Sequence, residues 1–168
     1  MIVHKCDQYT ELWWKLRCGV PTSSNASRVI MPKKGELSAQ ADDYACELIA
    51  EKYDAYYGIQ EDYVSAAMKN GSIMEPESRR FYEFERNCEV QQVGFVTTDD
   101  GRFGCSPDSL VGDCGGLELK NPKPATHIRY LLDNKLPDAY RPQVHWCLVV
   151  TGRPWWDFLS YSPGLPPL

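Results

Sequence analysis

Residues 89 to 120 constrain the fold more than any other stretch of this 168-residue chain, because the residue pattern there changes to that of β-strands. Three extended segments alternate with two turns, in the order "EVQQVGFVTT", "DDGR", "FGCSPDSLVG", "DCGG" and "LELK". Glycine-containing turns between such segments predict an antiparallel β-meander. Pro107 interrupts the second strand, because a proline has no N–H to donate to a neighbouring strand.

Helices are predicted before this meander. Cap residues and apolar spacing place four of them, at residues 11–19, 22–30, 39–58 and 61–86. The last of these is expected to break or bend near Asn70 and Gly71. Pro76 then fits the first turn of its second half, where proline is favoured.

After the meander the sequence predicts two more helices and one strand, in residues 121–135, 139–152 and 153–163. Pro142 marks the front of the second helix. Trp155 and Trp156 are adjacent on the strand, so one indole is expected to be buried and the other exposed. The whole order of elements predicts one α/β domain over residues 1–168, with a central mixed β-sheet flanked by helices.

Composition argues against several classes of protein. The chain has no run of 18 apolar residues and no apolar segment of a secretory signal at its N-terminus, so a cytoplasmic protein is expected. Its seven cysteines are scattered without C-x2-C spacing, which argues against a zinc site or an iron–sulfur cluster. The net charge of −5 argues weakly against a general nucleic-acid binder, but the charges are segregated, so the folded chain can still present a basic face.

Asp108, Glu118 and Lys120 form the pattern D-x9-E-x-K at the end of the meander. Side chains two residues apart share one face of a strand, so Glu118 and Lys120 point together while the neighbouring leucines point into the core. Two interpretations stay open: a solvated hairpin, or two carboxylates that hold Mg²⁺ where Pro107 splays the strands. In the second, the metal activates a water for phosphodiester hydrolysis. Lys120 then orients that water, stabilises the phosphorane or, with a pKa lowered by desolvation, acts as a general base.

Two polar side chains from other segments are candidates for the same site. Glu75 lies on the long helix before the meander and offers a third carboxylate. Gln143 lies on the helix after it, beside Pro142 and an apolar run. Each alone is an ordinary helix residue, but together with the D-x9-E-x-K pattern they favour the metal site.

Four segments of the chain carry a family resemblance: "WWKLRCGVPTSS", "GSIMEPESRRFYEF", "CSPDSLVGDCGGLELKNP" and "YRPQVHW". In order and spacing they resemble the family of the bacteriophage lambda exonuclease and the YqaJ-type viral recombinases, within the PD-(D/E)xK nuclease superfamily. The resemblance implies a restriction-endonuclease-like core and a single exonuclease domain over residues 1–168.

The resemblance also implies roles for individual residues. Ligands of Mg²⁺, or of Mn²⁺ in its place, are implied at Asp108, Glu118, Glu75 and the backbone carbonyl of Leu119. Lys120 matches the catalytic lysine, and Gln143 matches a glutamine that supports the attacking water or the lysine. Zinc and an iron–sulfur cluster are not expected.

A pocket for a 5′-phosphate is implied as well, formed by Arg17, Ser24, Ser106, Thr126 and His127. Guanidinium and hydroxyl groups are natural partners of phosphate. The lambda enzyme has an arginine where this chain has Thr126, with His127 beside it. Trp13 and Trp14 are expected to supply at least one core residue, and the other is a candidate to stack on a base.

The activity implied is Mg²⁺-dependent 5′-to-3′ digestion of linear double-stranded DNA, which leaves 3′ single-stranded tails for recombination. Implied partners are duplex ends with a 5′-phosphate, a single-strand annealing protein and identical copies in a homotrimer. A related endonuclease, or a flap or repair nuclease, is the alternative on the same fold. A DNA-end binding module without activity is disfavoured, because every metal and lysine position is present.

Overall fold

The computed structural model describes residues 1–53 and 66–168, with the backbone alone described for residues 66–72. Within these ranges the strands are β1 (Ile2–His4), β2 (Val90–Gln91), β3 (Phe95–Thr97), β4 (Gly104–Cys105), β5 (Ser109–Val111), β6 (Gly115–Lys120) and β7 (Trp155–Ser160). The α-helices are α1 (Glu11–Arg17), α2 (Ala26–Val29), α3 (Ala41–Tyr53), α4 (Ala66–Arg86), α5 (Pro124–Asp133) and α6 (Arg141–Thr151). Short 3₁₀ turns, Ser23–Asn25 and Asp138–Tyr140, precede α2 and α6.

The strands form two sheets. One has the order β1-β3-β4 and the other the order β2-β5-β6-β7. In the second sheet β5 and β6 are antiparallel, whereas β7 returns to lie parallel to β6 from the pair Gly115–Trp155 to the pair Lys120–Ser160. The predicted α/β class, with a mixed sheet that a final strand rejoins, is confirmed.

The predicted meander differs from the structure in one respect, because each of its first two strands is split between the two sheets. Between β2 and β3, Gly94 passes so close to the loop before α1 that a Cβ there would lie 2.0 Å from the carbonyl oxygen of Cys6. Between β4 and β5, Pro107 ends the pairing, as expected for a residue without an N–H. Both breaks let the chain pass from one sheet to the other.

The glycines predicted to make a turn instead begin β6. Gly115 and Gly116 pair with Trp155 and Trp156 of β7. A Cβ would lie 2.0 Å from the ring of Trp155 and 2.3 Å from that of Trp156, so the indoles fill the space that side chains would need. Trp156 is 9% exposed and Trp155 36%, which confirms that one indole is buried and the other is not.

The first helix begins as predicted. The hydroxyl of Thr10 caps α1 by accepting a hydrogen bond from the N–H of Trp13. Trp13 is buried and Trp14 half-buried, so Trp13 is the core residue of the pair.

The predicted break in the long helix is wrong. The α4 helix passes through Asn70 and Gly71 without interruption, and Pro76 lies inside it rather than in a first turn. Packing compensates for the hydrogen bond that proline removes, because Tyr82 of this helix is buried against the sheet. The predicted helix start at Glu61 and the predicted end of the preceding helix at Gly58 lie outside the described residues.

Helices cover both faces of the four-stranded sheet. One core cluster joins α6 to the sheets and contains Val93, Val96, Cys105, Leu110, Val144, Cys147, Val150 and Trp156. The other joins α4 to the opposite face and contains Tyr82, Val111, Leu117, Leu119 and Leu159. The leucines of β6 thus point into the core as predicted, and Glu118 between them faces α6, where it bonds to Gln143. No described helix is both long and apolar enough to cross a membrane.

Candidate active site

The pairing of β5 with β6 brings Asp108 and Glu118 together. Asp108 directly precedes β5, whose Ser109 lies opposite Leu117 of β6. Oδ2 of Asp108 reaches across to β6 and accepts a hydrogen bond of 2.6 Å from the N–H of Leu119. The two carboxylates therefore flank the same point of the sheet, although nine residues separate them in the sequence.

The carboxylate of Glu118 is buried, with 1% of the residue exposed. Its Oε1 accepts hydrogen bonds from Nε2 of Gln143, at 2.5 Å, and from Nζ of Lys120. Its Oε2 is buried and has no hydrogen-bond partner among the described residues. An orphaned oxygen on a buried carboxylate costs free energy unless a cation or a donor satisfies it, so this atom marks the expected place of a ligand.

Glu75 joins the site from α4 through an arginine. It forms an ion pair with Arg79, one helical turn further along. Nε of Arg79 donates to the hydroxyl of Ser109 at 3.0 Å, and a terminal nitrogen donates to the backbone carbonyl of Asp108 at 3.3 Å. Arg79 thus ties the helix that carries Glu75 to the start of β5. The sequence analysis missed Arg79, although its i, i+4 spacing from Glu75 is a usable signal.

Burial and mutual repulsion shape the ionisation of the three carboxyl groups. Burial raises the pKa of Glu118 to about 7, with the charges of Asp108 and Glu75 adding to the effect and Lys120 opposing it. Burial also raises the pKa values of Asp108 and Glu75. Carboxyl groups that are costly to ionise together are the groups that a bound cation relieves.

Lys120 does not show the lowered pKa that desolvation predicts. Burial acts to lower its pKa, but the carboxylates of Glu118 and Asp108 outweigh burial and hold the pKa above its usual range. The ammonium also lies 5.3 Å from the ring centre of Tyr140, a neighbour that the sequence analysis did not identify. In this arrangement Lys120 is a cation, suited to stabilising negative charge rather than to removing a proton.

The donor set fits a hard divalent cation, but its members are not gathered around one point. Within residues 1–53 and 66–168, no three His, Cys, Asp or Glu side chains are arranged to hold a metal ion. Glu75 instead pairs with Arg79, and Asp108 accepts from Leu119. The orphaned Oε2 of Glu118 nevertheless requires a partner, and carboxylate and carbonyl oxygens are the ligands that Mg²⁺ and Mn²⁺ prefer.

A second cluster surrounds Ser106, two residues before Asp108. Arg17 donates to the hydroxyl of Ser106 at 3.1 Å and to that of Ser24 at 3.2 Å. The indole of Trp13 donates to the Ser106 hydroxyl at 2.9 Å, and its ring lies 4.2 Å from the guanidinium carbon. The structure therefore brings together three of the five residues predicted to bind a 5′-phosphate.

His127 is a core residue, which argues against its predicted role as a phosphate ligand. It exposes no surface. Its ring nitrogens bond to the hydroxyl of Ser160 and the carbonyl of Pro166, each at 2.7 Å. Neither nitrogen is left for a ligand. Thr126, one residue earlier, is exposed on α5, so a role in phosphate binding stays a prediction.

Comparison with known proteins identifies relatives. The family model of the YqaJ-like viral recombinase domain matches residues 12–154. The crystal structure of LHK-Exo, an alkaline exonuclease from Laribacter hongkongensis, is 37% identical, with a TM-score of 0.78 over 94% of this chain and 76% of that one. The structure of LHK-Exo in complex with dAMP gives 35% identity and a TM-score of 0.79 with the same coverage. The curated proteins contain no significant match.

The match to the family model spans every candidate residue from Arg17 to Gln143. The structural match extends the likeness to nearly the whole chain. The restriction-endonuclease-like fold expected from four sequence segments is therefore confirmed, and the chain belongs to the family of YqaJ-like viral recombinase domains.

Proposed function

We propose that this protein is a Mg²⁺-dependent exonuclease that degrades one strand of linear double-stranded DNA from its 5′ end. One observation carries the proposal: the Arg17–Ser106 cluster lies two residues along the chain from Asp108 of the carboxylate cluster. The first cluster has the donors for a terminal phosphate, and the second has the acids for cleavage of a phosphodiester. A strand end held by the first would present its next phosphodiester to the second.

The class of reaction follows from the relatives. Membership in the YqaJ-like family and 37% identity to an alkaline exonuclease make the protein a nuclease that acts on DNA. LHK-Exo is known in complex with dAMP. We take this as support for the proposal that the products here are nucleoside 5′-monophosphates.

Each residue of the carboxylate cluster has a role in the proposal. The metal, when bound, would polarise the phosphodiester and lower the pKa of a bound water. Its ligands in this proposal are Asp108, Glu118, Glu75 and the backbone carbonyl of Leu119. Gln143 holds Oε1 of Glu118 by its 2.5 Å hydrogen bond, which leaves Oε2 for the cation. Lys120, whose ammonium donates to Oε1 of Glu118, is placed to stabilise the negative charge that develops on the phosphate.

The proposed partners rest on the family resemblance. They are duplex ends with a 5′-phosphate, a single-strand annealing protein that receives the 3′ tail, and two further copies of the chain in a homotrimer. Sedimentation equilibrium tests the last of these, because a trimer has three times the 19.2 kDa mass of the chain. A mass of one or two chains would contradict it.

Digestion of three forms of one plasmid tests the proposed activity. The substrates are linear duplex with 5′-phosphates, linear duplex with 5′-hydroxyls, and the closed circle, each incubated with Mg²⁺ or with EDTA. We expect fast digestion of the first, slower digestion of the second, no cutting of the circle, and no reaction in EDTA. Cutting of the circle would contradict an exonuclease and favour the related endonuclease.

A further inference from the structure

A cavity of about 290 Å³ is lined on one side by the proposed metal ligands Glu75 and Asp108 and extends beyond them to the N-terminal loop. Its described lining includes the N-terminal loop that ends at Tyr9, Glu75 and Arg79 of α4, Gln92, and Asp108. One side of the cavity thus belongs to the loop before α1 and another to the helix that carries Glu75. The space adjoins the point at which the proposed function places the cleaved phosphodiester.

The loop before α1 is fixed in a way that presents one aromatic ring. The side-chain amide of Gln8 donates to the carbonyl of Val93 at 3.3 Å and to that of Pro107 at 3.1 Å. The next residue, Tyr9, has a φ of 65°, in the left-handed region that non-glycine residues rarely adopt. The hydrogen bonds of Gln8 therefore anchor an unusual backbone conformation directly beside the cavity.

The ring of Tyr9 is packed and yet exposed. It contacts the ring of Trp13, with centroids 5.2 Å apart, while 62% of the residue remains exposed. Trp13 is the same indole that bonds to Ser106 and underlies Arg17. The Tyr9 ring therefore contacts the phosphate cluster through Trp13, while much of its surface faces solvent.

Charged residues of both clusters act on the hydroxyl of Tyr9. Burial raises the pKa of its hydroxyl, the charges of Glu75 and Asp108 raise it further, and Lys120 and Arg17 oppose them. These four residues come from both clusters.

The spacing of the clusters defines what must lie between them. Ser106 and Asp108 are two residues apart in the link between β4 and β5, so their Cα atoms are separated by at most about 7 Å. That distance is close to the separation of successive phosphates along a nucleic-acid strand. If one phosphate binds at Ser106 and the next at Asp108, a single nucleoside occupies the interval.

We propose that Tyr9 stacks on the nucleobase of the 5′-terminal nucleotide and so positions that nucleotide between the two clusters. The inference rests on the proposed function and names a contact for its substrate. Stacking suits a nuclease that must accept any sequence, because every base has a face that an aromatic ring can cover. Tyr9 is therefore a substrate-positioning residue, and its hydroxyl takes no part in the reaction.

The test measures the contribution of the terminal base to binding. Lys120→Ala is the background, so that digestion is slow compared with the binding measurement, and the ligands are 5′-phosphorylated duplexes whose terminal nucleotide is either normal or abasic. When Tyr9 is intact, we expect this protein to bind the normal end with an affinity at least roughly 10-fold higher than its affinity for the abasic end. Tyr9→Phe keeps the ring and should keep this difference, whereas Tyr9→Leu and Tyr9→Ala should lose it.

Control variants separate stacking from packing. Leucine retains an apolar contact with Trp13, so a difference that survives in Tyr9→Leu but not in Tyr9→Ala would overturn stacking as the cause. Phe84→Ala removes a ring that is 82% exposed and lies roughly 14 Å along α4 from Glu75, and it should leave the difference intact.

Two results would overturn the inference in distinguishable ways. In the first, loss of the terminal base weakens binding by the same factor in Tyr9→Ala as in the background with Tyr9 intact. That result would show that Tyr9 does not contact the terminal base, whereas digestion of linear duplex by the wild type would still support the proposed function. Absence of that digestion would overturn the proposed function, and the inference with it.

Discussion

Gln143 donates a hydrogen bond of 2.5 Å to Oε1 of Glu118, and the other oxygen of that carboxylate has no hydrogen-bond partner in the part of the chain that the structure describes. The amide comes from α6 and the acid from β6, so packing of the helix on the sheet fixes the orientation of the carboxylate. Lys120 shares the same oxygen. Both donors therefore occupy one side of Glu118 and leave the other side open to a cation.

The first prediction concerns this orienting amide. Gln143→Ala should raise the Mg²⁺ concentration needed for half-maximal digestion by roughly 10-fold or more, as is typical when a residue that orients a metal ligand is lost. Activity against Mg²⁺ concentration measures it. Val149→Ala, at an exposed position of the same helix, is the matched control. An unchanged Mg²⁺ curve for Gln143→Ala would show that the amide does not orient the metal ligand.

The second prediction concerns metal binding apart from activity. A divalent ion that binds the folded state stabilises it by about 2.7 kcal/mol at a concentration 100 times its Kd. Mg²⁺ should therefore raise the Tm of the wild type, and Glu118→Gln should abolish the increase because Oε2 loses its negative charge. Asp113→Asn, in the exposed turn before β6, is the control and should respond like the wild type. An equal increase in Glu118→Gln would place the metal elsewhere.

The third prediction concerns the lysine. Its ammonium pairs with the carboxylate of Glu118 inside the cluster, so it should contribute charge stabilisation. Lys120→Ala should lower turnover by roughly 100-fold or more while DNA binding persists. Lys123→Ala, an exposed lysine three residues later, should retain full turnover. Unchanged turnover in Lys120→Ala would remove this residue from the mechanism.

The fourth prediction concerns the phosphate cluster. Arg17→Ala should bring the rate on 5′-phosphorylated ends down to the rate on 5′-hydroxyl ends, because the guanidinium is the charged donor of that cluster. The ratio of the two initial rates is the measurement, and Lys15→Ala on the same helix is the control. A preference for 5′-phosphate that survives the loss of Arg17 would move the pocket to other residues.

The fifth prediction separates His127 from that pocket. Both of its ring nitrogens are bonded in the core, so His127→Ala leaves buried partners unsatisfied and should cost about 1–3 kcal/mol of unfolding free energy. Urea titration measures the loss. The preference for 5′-phosphorylated ends should be unchanged in the folded variant. A stable variant that loses this preference would restore His127 to the pocket.

Much of the carboxylate cluster is predictable from sequence, because it depends on local geometry. Alternation along β6 alone places Glu118 on the face opposite its leucine neighbours. The convergence of Asp108, Glu75 and Gln143 is not a local property, so residue types made them only candidates and the family resemblance was needed to assign them to one site. Arg79 is only partly predictable. Helical spacing predicts its contact with Glu75, but its hydrogen bond to Ser109 depends on how the helix packs on the sheet.

The errors arise where distant contacts decide local structure. Sequence does not reveal that Gly94 must pass against Cys6, which splits a predicted strand between two sheets. The partners of His127 lie 33 and 39 residues further along the chain, so its burial is invisible in a local pattern. Strand β1 was not predicted, because three residues that are mostly exposed carry too little signal and gain their structure only from pairing with β3.

The direction of digestion tests the central claim most directly. One strand of a linear, 5′-phosphorylated duplex carries a label at its 5′ end, and in a second substrate the same strand carries the label at its 3′ end. With Mg²⁺, the 5′ label should appear at once as a mononucleotide, while the 3′ label stays on a shortening strand until late in the reaction. Early release of the 3′ label, or release of the 5′ label on long oligonucleotides, would contradict a 5′-to-3′ exonuclease built on Asp108, Glu118 and Lys120.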